Sequence, residues 1–215
     1  MEQRAGAVAP VVLRKRRDVW RDLARILSTI FNPFLCALAL CVILAHALAT
    51  SSTLSFWWLA SLTAFFTSIG PMLFVFWMYS TDRITDLDMS NRLERERIFA
   101  AVVVFYVAGT IVLWLTHSPR LLVATLGGYS LSTIVVQYIT RYWKISTHAL
   151  GITAPLVVLC LLYGDQPLPL LILIPMVCWA RVYLRAHTIM QVVAGAALAT
   201  FSVGLFFKLF HVAKL

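Results

Sequence analysis

Apolar and polar positions in this chain fall in blocks, with neither a helical stripe nor a strand-like alternation along most of its length. Seven apolar runs, at 26–48, 56–79, 98–115, 121–139, 149–163, 168–183 and 188–210, are divided by short polar segments. A helix half-covered by water carries an apolar stripe, whereas a helix surrounded by lipid is apolar all round. The blocks therefore predict an all-α polytopic transmembrane bundle. The first two runs and the last are long enough to cross a hydrocarbon core of about 30 Å at about 1.5 Å per residue. The middle four are shorter and reach that length only by borrowing flanking residues. Only residues 184–187 separate the last two runs, so the pattern predicts six to seven membrane helices.

Before the first run, residues 1–25 form a basic segment with Arg4, Arg14, Lys15, Arg16, Arg17, Arg21 and Arg25. Residues 11–25 read as a short interfacial helix, with Val12, Leu13, Val19, Trp20 and Leu23 toward lipid and the charges toward headgroups. Residues 26–215 then make a single transmembrane helical domain. Composition agrees: 61% of the residues are hydrophobic and 13% charged, against about a quarter charged in an average soluble domain. The net charge of +9 suggests nucleic acid until the cations are placed along the chain. With the N-terminus inside, all of the 18 Lys and Arg except Arg120, Lys208 and Lys214 fall on inner segments. This bias predicts a cytoplasmic N-terminus and accounts for the charge through topology, with no nucleic-acid partner. Cys36, Cys41, Cys160 and Cys178 all lie within apolar runs without metal-binding spacing, and read as small apolar filler.

The same parity places the loops at 80–97, 140–148 and 184–187 on one membrane face. Their polar residues can therefore share a pocket. His187 and Gln191 are four apart at a helix start, on one face and one turn apart. Gln191 could accept a hydrogen bond from a ring N–H of His187 and so orient the imidazole. Arg181, at the end of the preceding helix, can fork onto two phosphate oxygens. Ser146 and Thr147 precede an apolar run as helix-capping residues do, and a helix start offers free N–H groups to an anion. Lys144 adds a mobile cation and His148 a general acid. On the 80–97 loop, Arg92 and Arg95 are three apart and could reach a phosphate, or could pair with Glu96 or Asp88. Asp82, Asp86 and Asp88 have spacing compatible with a magnesium site, or with a plain charged loop.

Ile-Ser-Thr-His at 145–148 and Ala-Arg-(five)-His-(three)-Gln at 180–191 resemble two motifs of the type 2 phosphatidic acid phosphatase superfamily of membrane lipid phosphatases. That family carries a Lys/Arg-rich first motif, then Pro-Ser-Gly-His, then Ser-Arg-(five)-His-(three)-Asp. Ser146 and His148 match the second motif, and Arg181 and His187 the third; the resemblance covers roughly residues 80–200. It implies hydrolysis of a lipid phosphate or pyrophosphate, such as a phosphatidic acid-like or polyprenyl phosphate lipid, without metal or other cofactor. His187 would be the nucleophile, His148 the acid for the leaving oxygen, and Arg181, Ser146 and cations of the first motif the phosphate-holding groups. The chain departs from the pattern at Ile145 and Thr147, in the first motif (for which Arg92 and Arg95 stand in), and at Gln191 in place of the aspartate. A neutral amide can orient an imidazole but cannot stabilise its positive charge. Two other readings follow from the residues: a membrane protein that binds lipid phosphate without turnover, suggested by Gln191, and a metal-dependent prenyl or lipid transferase, suggested by Asp82, Asp86 and Asp88.

Overall fold

A computed structural model describes residues 18–49, 54–85 and 91–212; most of the basic N-terminal segment, together with Asp86 and Asp88, lies outside them. Every described element is helical. In chain order these are α1 (Val19–Ile30), α2 (Pro33–Ala49), α3 (Phe56–Ala64), α4 (Gly70–Ser80), α5 (Arg92–Leu115), α6 (Arg120–Ile139), α7 (Thr147–Tyr163), α8 (Leu173–Tyr183) and α9 (Ile189–Leu209).

Fewer helices reach spanning length than the seven apolar runs predict. Among the described residues, four helical stretches are long and apolar enough to cross a membrane: Phe56–Ser80, Arg92–Leu115, Arg120–Ile139 and Ile189–Leu209. A fifth is obtained only if α1 and α2, bent by 47°, count as one. α7 has 17 residues, about 25 Å of helix, and α8 has 11 after a five-residue 3₁₀ turn; both fall short of the core thickness.

The first run is not one helix, because Pro33 breaks it. Proline disfavours helical backbone at the residue before it and has no N–H to continue the ladder, but suits the first turn of a new helix. Asn32 caps that new helix, its side-chain oxygen accepting from the Phe34 N–H at 2.9 Å. α1 is thereby released as a separate amphipathic helix, starting at the Asp18 cap and not at residue 26.

Pro71 has a different effect. It would meet the Thr67 carbonyl in an unbroken helix, and the chain widens there into a π turn over Phe65–Ile69. The freed Thr67 carbonyl accepts instead from the Tyr106 hydroxyl of α5, at 3.2 Å.

α6 is the central helix: residues 121–130 are all buried, between α5 on one side and α9 on the other. Gly128 of α6 permits the second contact, since a Cβ there would come 3.1 Å from the Val203 Cα. α9 also packs along α7. Outward faces carry Phe76, Val104, Trp114 and Phe201, each about two-thirds exposed, an apolar surface suited to lipid.

Candidate active site

The site forms where α5 begins, α7 begins, and α8 passes into α9. Arg185 takes a left-handed conformation (φ 56) that ends α8. The N–H groups of Ala186 and His187 then turn back to the Arg181 carbonyl, at 3.0 and 3.3 Å. The turn thus ties the backbone of Arg181 to that of His187.

α9 begins with a capping box. The Thr188 hydroxyl accepts from the Gln191 N–H (3.4 Å), and Gln191 Oε1 accepts from the Thr188 N–H (3.1 Å). The Thr-x-x-Gln pattern is a recognised helix-start signature; sequence reasoning used Gln191 only as a neighbour of His187 and missed Thr188. The box has a chemical consequence. A backbone N–H can only donate, so it fixes the oxygen of the Gln191 amide at this point. The same oxygen lies 3.2 Å from His187 Nδ1. Nδ1 must therefore carry the hydrogen, and Nε2 of a neutral ring presents its lone pair.

His187 is half-buried, and its pKa is pushed down to about 4. Burial is the largest cause; the charges of Lys144, Arg181 and Arg95 add to it, while the bond to Gln191 opposes it. These three cations come from three different segments, and the charge of each acts on one imidazole. His148, on the first turn of α7, lies within electrostatic reach of Arg181 and His187, and the nearby backbone of Ser28 favours its protonated form.

Ser146 is fully buried and caps α7 by accepting from the Ala149 N–H at 3.3 Å. Its own N–H donates to the Gln191 carbonyl at 3.2 Å, so the starts of α7 and α9 are joined directly. Gly195 makes room for this junction: a Cβ there would lie 2.5 Å from the Ser146 carbonyl oxygen. Arg181 is 7% exposed and donates through Nη1 to Ser28 Oγ at 3.2 Å. Ser28 was invisible as a site residue because it lies within an apolar stretch far from any motif.

Arg92 and Arg95, paired in the sequence argument, part company. Arg95 turns inward. Arg92, about one helical turn further out, is exposed and donates from Nε to Glu96 at 3.1 Å. Its charge is felt by Arg95 but is not among those acting on either histidine. Asp82 sits exposed in the turn after α4, and no group of three or more His, Cys, Asp or Glu suited to a metal occurs among the described residues.

The described residues thus form an all-helical bundle with two histidines and several cations near one another at one end. The PAP2 superfamily model matches residues 101–214, more than half of the chain, and the chain belongs to that superfamily, whose members are phosphatases. No curated protein and no solved structure matched it. The matched segment includes Lys144, Ser146, His148, Arg181, His187 and Gln191, and excludes Arg92, Arg95 and Ser28.

Proposed function

We propose that this protein is a membrane-embedded lipid-phosphate phosphatase with His187 as nucleophile. The observation that carries the reading is the fixed Nδ1–H of His187, which leaves Nε2 to attack within a cluster of cations. Nε2 attacks phosphorus, the bond from phosphorus to the lipid oxygen breaks, and His148 gives that oxygen its proton. Water then attacks the phosphohistidine, with neutral His148 taking a proton from the water, and inorganic phosphate leaves. Arg181, Lys144 and Arg95 counter the charge on the phosphoryl oxygens, and the N-terminus of α7 at Ser146 adds its free N–H groups. A bound phosphate dianion offsets these cations and favours protonation of His148 at the moment an acid is needed.

The substrate is a phosphatidic acid-like or polyprenyl phosphate lipid, and the site opens to the cytoplasmic face by the cation bias of the loops. Purified protein in detergent, with a chelator present, should release phosphate from phosphatidate or a polyprenyl phosphate, and His187→Ala should not. Quenching with labelled phosphatidate should trap an acid-labile, base-stable phosphoprotein. Equal phosphate release by wild type and His187→Ala would refute the nucleophile. Gln191 supports a second reading, lipid-phosphate binding without turnover; tight binding with no release from any lipid phosphate tested would favour it.

A further inference from the structure

α1 lies outside the matched family segment, yet it reaches the centre of the site. Its inner face packs Ala24 and Leu27 against Ala180 of α8, with Phe31 and Leu184 alongside. Two further contacts fix α1 on α8. The Tyr183 hydroxyl donates to the Asp18 carboxylate at 3.1 Å, and Trp20 meets Trp179 edge-on with ring centroids 6.2 Å apart. On this anchored face Ser28 is 8% exposed. It touches the phosphate-binding arginine directly, its hydroxyl accepting from Arg181 Nη1 at 3.2 Å, and its backbone lies near enough to His148 to favour the protonated ring.

The chemistry of the guanidinium explains why a hydroxyl is placed there. Arg181 carries five N–H donors in a rigid plane, and a phosphate can take two of them side by side. A fixed acceptor on another edge sets the plane of the fork before substrate arrives. That matters because binding through an unfixed arginine must first order a side chain with considerable rotamer freedom. α1 cannot drift from this position without also breaking the Asp18–Tyr183 contact.

We infer that Ser28 is a positioning residue of the active site, holding the Arg181 guanidinium in the plane that meets the phosphate, and that α1 is a component of the site. The role rests on the phosphatase reading for its catalytic part, while its binding part needs only that Arg181 engages the phosphate of the lipid.

The test uses the full chain with Ser28→Ala, Ser28→Thr, Arg181→Ala and the Ser28→Ala/Arg181→Ala double variant. Phosphate release from phosphatidate is one readout. Equilibrium binding to phosphatidate-containing micelles, with every variant carried in a His187→Ala background, is the other. Ser28→Ala should lose about 10-fold in kcat/KM and in affinity, as expected for a hydrogen bond to a charged group. Ser28→Thr, which keeps the hydroxyl, should recover both to within about 2-fold of the wild-type Ser28 level. In the Arg181→Ala background Ser28→Ala should have no further effect, because groups acting through one another are not additive. A serine that serves only stability would lower Tm without this pattern. Wild-type values in Ser28→Ala for both readouts, or losses that multiply in the double variant, would overturn the proposal. If the wild type releases no phosphate, the phosphatase reading falls and the binding arm alone decides Ser28. Should Ser28→Ala fail to fold, Ser28→Cys, with a similar volume and a weaker acceptor, takes its place.

Discussion

Replacing Gln191 by glutamate isolates the electrostatic part of the site. Glutamate has the same length and is an established partner in a capping box, so the bonds of Oε1 to the Thr188 N–H and His187 Nδ1 can persist. The change adds one negative charge. At about 5 Å between charge centres and an effective dielectric of about 20, the attraction to a protonated ring is about 3 kcal/mol, or about two pH units. The His187 pKa should rise from about 4 toward about 6. The ring stays mainly neutral at pH 7, so the nucleophile is retained, while the positive charge that develops on it during attack is stabilised. Turnover at pH 7 should rise about 10-fold or more. In a serine-protease triad, exchanging the aspartate for its amide costs about 10⁴ through the wrong tautomer. Here the Thr188 N–H already enforces the right one, so only the smaller electrostatic part remains to be gained. The sign is open to test: a raised pKa moves protonation of the nucleophile to higher pH, so the variant loses activity on acidification before the wild type does. The second ionisation of the substrate phosphate, near about pH 6, enters both profiles equally. The ring itself is therefore titrated by NMR in histidine-labelled protein. An unshifted His187 titration in a folded Gln191→Glu protein, or a lower rate at pH 7, would refute the reasoning.

Three other changes test the geometry. Gly195→Ala places a methyl 2.5 Å from the Ser146 carbonyl oxygen; separating α7 from α9 should cost about 1–3 kcal/mol in stability and at least about 10-fold in phosphate release, read by thermal denaturation and turnover in detergent. Arg95→Ala should reduce kcat/KM by about 10²-fold or more, the scale of losing one group aimed at the transition state. Arg92→Ala, which removes only the exposed pair with Glu96, should change it by less than about 2-fold; equal losses in the two variants would show that the division between them is wrong. Tyr106→Phe strands the Thr67 carbonyl, which Pro71 has no N–H to satisfy, and should destabilise the fold by about 1–3 kcal/mol, read by thermal denaturation; an unchanged Tm would show that this bond does not hold the π turn.

Sequence by itself determined the all-helical class, the location of the polar clusters between apolar blocks, and the motif residues, because each depends on near neighbours. An apolar block remains a helix in lipid whatever surrounds it. His187 and Gln191 meet because four residues span about one helical turn, and Ser146 caps α7 because a hydroxyl at that place satisfies its own helix start. Even the break at Asn32–Pro33 and the box at Thr188–Gln191 were written locally, although block hydrophobicity alone passed over both. Tertiary packing decided the rest. Arg95 joins the cluster and Arg92 does not, although three residues on one helix give them nearly the same direction; Arg95 has its Nε out of solvent and acts on His187, while Arg92 stays exposed against Glu96. Gly195 counts because Ser146, from another helix, occupies the space a side chain would fill. Ser28 lies 153 residues from Arg181, in a stretch that carries no motif. Only the bend before α2, and the docking of α1 on α8, bring its hydroxyl to the guanidinium. A donor and an acceptor that far apart in the chain leave no local pattern, since the distance between them is set by how helices pack and not by the residues between.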